Sequence, residues 1–185
     1  MATDKASNTK IITGKVRFSY AHLFKPQAMD EGQDPKYSVC LLIPKSDTTT
    51  INKIKAAVEA AKQAGLSSWG GKIPANLKLP LRDGDVERSD QPEYAGMYFV
   101  NATSKQKPGI VDAQLNEVID TTEVYSGCFG RASLNFFAFN KKGNRGVACG
   151  LNNVQKLADG EYLGGRASAE EDFGSADGGE DDLLG

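Results

Sequence analysis

The sequence predicts a mainly β domain, a small barrel with one helix and long inserted loops, followed by a flexible acidic tail. Three observations carry this. The stretch from Tyr125 to Lys156 reads as strand, tight turn and strand, with apolar residues at alternate positions. One segment, Ser46 to Gly65, has helical spacing, with Ile51, Ile54, Val58 and Ala61 on a single stripe. The charge also changes sign along the chain. Residues 167–185 hold seven of the 24 acids and no Lys or Arg, so residues 1–166 carry 17 acids against 22 basic residues, a net of +5. The formal net charge of −2 conceals a basic body and an acidic tail.

A chain of 185 residues suits one domain with a tail. We expect residues 1–9 to be a disordered start, 10–160 the folded domain and 161–185 the tail. Hydrophobic residues at 39% are enough for a core. Met1 to Thr9 is polar and does not resemble a signal peptide, and no apolar run reaches the length of a membrane span. The three cysteines, Cys40, Cys128 and Cys149, each sit inside an apolar strand pattern, which suits reduced core thiols in a cytosolic protein.

Lys10 to Phe24 is the first long strand. Ile12, Val16, Phe18 and Tyr20 suit the core, and Lys15 and Arg17 fall on an outer or ligand face. Lys25 to Lys36, with Pro26, Gly32 and Pro35, is a loop. Tyr37 to Ile43 is apolar on both faces and reads as a central strand ended by Pro44. The helix follows, with Ser46, Asp47 and Thr48 as candidate N-caps and Gly65 as its stop. Leu66 to Gly96 is long and irregular, carrying Pro74, Pro80 and Pro92. Its Trp69 suits either a flap that closes on a ligand or an anchor to the barrel. Gly96 to Thr103 is a strand, Lys105 and Lys107 form a basic turn, and Gly109 to Asp112 is a short strand. Gln114 to Thr122 connects to the long hairpin.

In that hairpin Cys128, Ala132, Leu134, Phe136 and Ala138 suit a core. The other face carries Tyr125, Phe129, Arg131, Ser133, Asn135, Phe137 and Phe139. Rings interleaved with a cation and hydrogen-bonding side chains suit a sheet that stacks nucleobases, because every base offers a π-face and every nucleotide a phosphate. The same alternation also describes a hairpin whose second face packs under another element. The turn, Asn140 to Gly146, is rich in Gly and Asn and holds Lys141, Lys142 and Arg145. The return strand, Val147 to Val154, is small and apolar.

The segments GCFGRASLNFFAFN and GNRGVACGLNNVQK, with LPLRDGD (Leu79 to Asp85) and EYAGMYFVNATS (Glu93 to Ser104), resemble a family of phage-encoded single-stranded-DNA-binding proteins. The resemblance spans about Lys10 to Lys156. It implies an OB-like barrel, a fold that binds oligonucleotides across one face, and the order of elements fits such a barrel with insertions. It further implies a phage protein of the host-cell cytoplasm that coats single-stranded DNA without strong sequence preference during replication or recombination. Tyr125, Phe129, Phe137, Phe139 and Trp69 are the candidate stacking residues. Lys15, Arg17, Lys105, Lys107, Arg131, Lys141, Lys142 and Arg145 are the candidate phosphate contacts. The tail end, Asp181, Asp182, Leu183 and Leu184, resembles the partner-recruiting tails of such proteins, and the acidic charge should also compete with DNA for the basic body.

Two rivals stand beside this reading. One is a duplex-binding or strand-annealing protein on the same scaffold. The other is a virion assembly protein whose aromatic face meets protein. A homodimer is left open. Enzymatic chemistry has little support: there is no GxxxxGK[ST], HExxH or GxSxG, and His22 is the only histidine. No cofactor or metal is expected, and Asp83 and Asp85 read as turn residues.

Overall fold

The computed structural model describes residues 9–28, 32 and 34–163. The expectations for residues 1–8 and for Asp181, Asp182, Leu183 and Leu184 lie outside the described residues. The strands are β1 (Lys10–Ile12), β2 (Val16–Gln27), β3 (Lys36–Pro44), β4 (Arg82–Asp83), β5 (Met97–Ser104), β6 (Gly109–Val111), β7 (Phe129–Lys141) and β8 (Asn144–Ala158). Helix α1 is Thr48–Ala64 and the single turn α2 is Gly84–Glu87. Strands β2, β3, β5, β8 and β7 pair in that order, and β7 also pairs with β2, so the sheet closes into a ring. All pairings in the ring are antiparallel except β5 with β8. The ring is the expected OB-like barrel, and closure removes most of the exposed edge that an open sheet would leave.

The barrel interior follows the alternation read from the sequence. Val16, Phe18, Val39, Leu41, Ile43, Val100, Ala102, Ala132, Leu134, Phe136, Cys149 and Leu151 fill it. β3 is buried on both faces because a second apolar cluster, Cys40, Leu42, Tyr94 and Phe99, covers its outer side. Helix α1 packs on β7 and buries Ile51, Ile54, Val58 and Ala61. Asp47 is its N-cap, accepting a hydrogen bond from the Thr50 amide at 3.1 Å. Gly65 ends it at φ −96°, so no left-handed cap is needed. Glycine is required there by close approach, since a Cβ would lie 2.1 Å from the Ala138 Cβ. The β7–β8 hairpin turns through Lys142 and Gly143, both at positive φ, the two-residue turn that matches strand twist.

The first strand departs from expectation. Register with β7 shifts by one residue between Ile12, opposite Ser133, and Val16, opposite Gly130. Within that bulge the Thr13 hydroxyl accepts from the Ala132 amide at 3.0 Å and the Thr50 hydroxyl accepts from the Gly14 amide at 2.9 Å. A one-residue bulge moves every earlier side chain to the other face. Ile12 is therefore on the outside and 52% exposed, not in the core. A second irregularity between Ser19 and His22 does the same to Tyr20, which is 57% exposed.

Candidate nucleic-acid interface

The outer face of the barrel carries the candidate residues in two patches. The first is the far half of the β7–β8 hairpin. Phe137 pairs with Ala148 and Phe139 with Gly146 across the two strands. The Gly146 partner leaves room for the Phe139 ring, since a Cβ there would lie 3.0 Å from it. Phe137 is 45% exposed and Phe139 is half-buried. Lys141 and Lys142 are exposed at the tip and Arg145 is half-buried beside them. The inserted loop docks here, with the Lys78 amide donating to the Arg145 carbonyl and the Val147 amide to the Lys78 carbonyl.

The second patch is a groove over β2, β3 and β5 of about 510 Å³, whose lining includes Tyr20, His22, Lys36, Arg88, Phe99 and Asn101. The register stacks outward-facing residues in rows: Ser19, Cys40 and Asn101 in one, His22, Ser38 and Thr103 in the next. Arg88 and Arg82 hold their guanidinium carbons 5.2 and 5.1 Å from the Phe99 ring centre. Arg82 is also tied to Glu87, and their mutual hydrogen bond holds the Glu87 carboxyl below its ordinary range. The floor is apolar and neutral. The Tyr94 phenol lies 3.7 Å from the Cys40 sulfur, and burial pushes that thiol up to about 11. Cations above an aromatic floor, with amide and hydroxyl groups beside them, can hold bases and phosphates together.

The segment Asp159–Leu163 runs over the start of β7 and reaches the apolar cluster under the groove. Its Gly160 amide donates to the Tyr125 hydroxyl at 3.0 Å, and Arg17 donates to the Glu161 carbonyl at 2.7 Å. The Leu163 amide donates to the Ser126 carbonyl at 2.8 Å, and Leu163 packs on the cluster around Phe99. Residues 161–163, which the sequence assigned to the tail, thus form a strap on the barrel.

This strap reassigns several candidates. Phe129 lies beneath it, since a Cβ on Gly160 would come 2.7 Å from its ring. Lys15 and Arg17 hold their cationic centres 5.4 and 5.5 Å from the same ring. Tyr125 is occupied by Gly160, by Lys156 over its face and by Tyr162 at 6.4 Å between ring centres. Arg17 donates to two carbonyls, those of Gly127 and Glu161, so its charge holds chain rather than standing free. Trp69 is 7% exposed and its indole N–H donates to the Phe139 carbonyl at 3.0 Å. It anchors the inserted loop to the hairpin, and no ring face is open for stacking.

The remaining cations are dispersed. Lys105 is exposed, and Lys107 lies 5.7 Å from the Phe24 ring centre. Arg131 donates to the Gln155 side chain at 2.6 Å on a different side of the barrel, next to Lys10, Ile12 and Leu115. Asp83 and Asp85 both hold Lys45 at 2.8 Å, and this ion pair draws both carboxyls below their ordinary value. They brace the LPLRDGD turn, as turn residues should. Among the described residues no group of three His, Cys, Asp or Glu side chains could hold a metal ion. The three thiols are free and buried. None of the described helices is long and apolar enough to cross a membrane.

The groove left no local motif in the sequence, because its residues come from β2, β3, β5 and the Arg88 turn. The one signal was β3 itself, whose two apolar faces imply that its outer side is covered.

Residues 9–184 match the model of the family described as Enterobacter phage Enc34, ssDNA-binding protein. The chain belongs to that family. Among solved structures it is similar to the single-stranded DNA-binding protein of bacteriophage Enc34 in complex with ssDNA. The two share 30% identity over 85% of this chain and 91% of that one, at a TM-score of 0.75. The single-stranded DNA binding protein gp2.5 of bacteriophage T7 shares the fold, with 15% identity and a TM-score of 0.63 over 86% of this chain and 97% of that one. Protein p50 of Acyrthosiphon pisum secondary endosymbiont phage 1 is 31% identical over 175 residues, 89% of this chain and 92% of p50.

Proposed function

We propose that this chain is a non-enzymatic phage protein that coats single-stranded DNA in the host cytoplasm during replication or recombination. The observation that carries the reading is the family match along residues 9–184, joined to an outer barrel face that offers exposed rings and cations. Phe137 and Phe139 stack bases at one end of the path, and Lys141, Lys142 and Arg145 contact phosphate there. Lys15, Lys105 and Lys107 add positive charge around the rim. A ring face recognises any unpaired base and no paired one, which accounts for weak sequence preference and for selection against duplex.

The acidic tail adds regulation. The strap brings the chain to Leu163, beside the groove that holds Arg88, His22 and Lys36. Twenty-two residues follow it, carrying seven acids. A tether of that length gives an effective concentration of charge in the millimolar range at the groove. The tail therefore competes weakly with DNA and is released when DNA binds. Asp181, Asp182, Leu183 and Leu184 are then free to recruit replication or recombination proteins.

Affinity for a thymidine oligonucleotide and for a duplex of equal length, measured at one salt concentration, tests the reading. A clear preference for the single strand is expected. Equal or tighter duplex binding supports the annealing alternative, and no binding to either supports an assembly role.

A further inference from the structure

We infer that Tyr20 is a preformed platform for one unpaired nucleobase, held in place by backbone strain. The inference rests on the single-stranded-DNA reading and adds to it a contact residue that neither sequence pattern nor family membership singles out. Tyr20 sits at the irregularity of β2 between Ser19 and His22 and has φ +46°. A bulky residue in this left-handed region is a true outlier, and such strain persists only where the surroundings impose it, most often at functional sites. Here the surroundings are visible. The Ala21 amide donates to the Ser126 hydroxyl at 3.0 Å, and the Gly127 amide donates to the Phe18 carbonyl at 2.7 Å. Both fix the chain on either side of Tyr20 to the segment that precedes β7.

The strain has a consequence for the side chain. Without the irregularity Tyr20 would point into the barrel, where strand alternation puts it. With it the ring stands 57% exposed at the wall of the groove. Arg88 lies across that groove, stacked on Phe99, and Asn101 and Thr103 are exposed along its β5 side. One open ring face, one cation and two hydrogen-bonding side chains are the complement of a single nucleotide: base, phosphate and base edge.

Substitution at this position separates binding from folding in the full-length protein. Glycine adopts φ +46° freely, so Tyr20→Gly should melt within a few degrees of the parent. Its affinity for a thymidine oligonucleotide should fall by about 5- to 150-fold, the range for one base that no longer stacks. Tyr20→Phe keeps the ring and should bind within about twofold of the parent. If Tyr20→Gly binds as the parent does, Tyr20 is not a platform, while the single-stranded-DNA reading stands. Equal losses in Tyr20→Phe and Tyr20→Gly also overturn the platform, because the ring face is then not what matters. A parent protein that binds no oligonucleotide removes the functional reading itself.

Discussion

Phe136 and Phe137 are neighbours in β7 that face opposite ways, and truncating each should have opposite consequences. Phe136 is 1% exposed in the barrel core. Alanine there leaves a cavity and should cost about 3–5 kcal/mol of stability. Phe137 is 45% exposed. Alanine there forfeits roughly half of the 1.5–3 kcal/mol of a fully buried side chain, about 1 kcal/mol, and opens no enclosed cavity. The effect should appear in binding instead. A base stacked on a ring is worth on the order of 1–3 kcal/mol, a fall of about 5- to 150-fold in affinity. Urea unfolding followed beside fluorescence-anisotropy titration of a thymidine oligonucleotide separates the two variants. A Phe137→Ala protein that unfolds as easily as Phe136→Ala, or that binds with the parent's affinity, would refute the stacking role of this ring.

Three further outcomes are expected. Neutralising Lys141, Lys142 and Arg145 together should flatten the dependence of log affinity on log salt by about 0.7 for each phosphate no longer neutralised, measured across a salt series; an unchanged slope takes the hairpin tip off the DNA path. Deleting residues 167–185 should tighten binding, more at low salt than at high salt, because screening weakens the tail's competition; unchanged affinity at low salt would remove that role. Lys45 lowers the Asp83 and Asp85 carboxyls from an ordinary 3.8. Depressed folded values mean that the stabilisation is present above that value and disappears as pH falls through the lowered ones. The melting difference between the parent and Lys45→Met should therefore shrink as pH falls below that ordinary value, and a difference that persists in acid would rule the ion pair out.

Much of the fold was legible because barrel strands with one buried face write a period of two into the sequence. Ala132, Leu134 and Phe136 point inward as that period requires, and α1 buries the stripe its spacing defined. Ile12 and Tyr20 were misplaced because a bulge adds one residue without changing residue types, and counting by twos then assigns the wrong face. The site was less legible for a different reason. Tyr125, Phe129 and Trp69 have the composition of stacking residues, and what covers them arrives from far along the chain: Gly160 over Phe129, Tyr162 near Tyr125, the Phe139 carbonyl on Trp69. Exposure is a tertiary property, and strand alternation reports only which side of its own sheet a residue occupies.

The central claim is that unpaired DNA lies on the outer face of the barrel, from the groove over β2, β3 and β5 to the far half of the β7–β8 hairpin. Backbone amide shifts recorded while a thymidine oligonucleotide is added to the full-length protein test it most directly. The perturbed amides should cluster around Tyr20, Arg88, Asn101 and Thr103 and around Phe137 to Arg145. Shifts confined to the surface around Lys10, Leu115 and Arg131, with both patches silent, would contradict it.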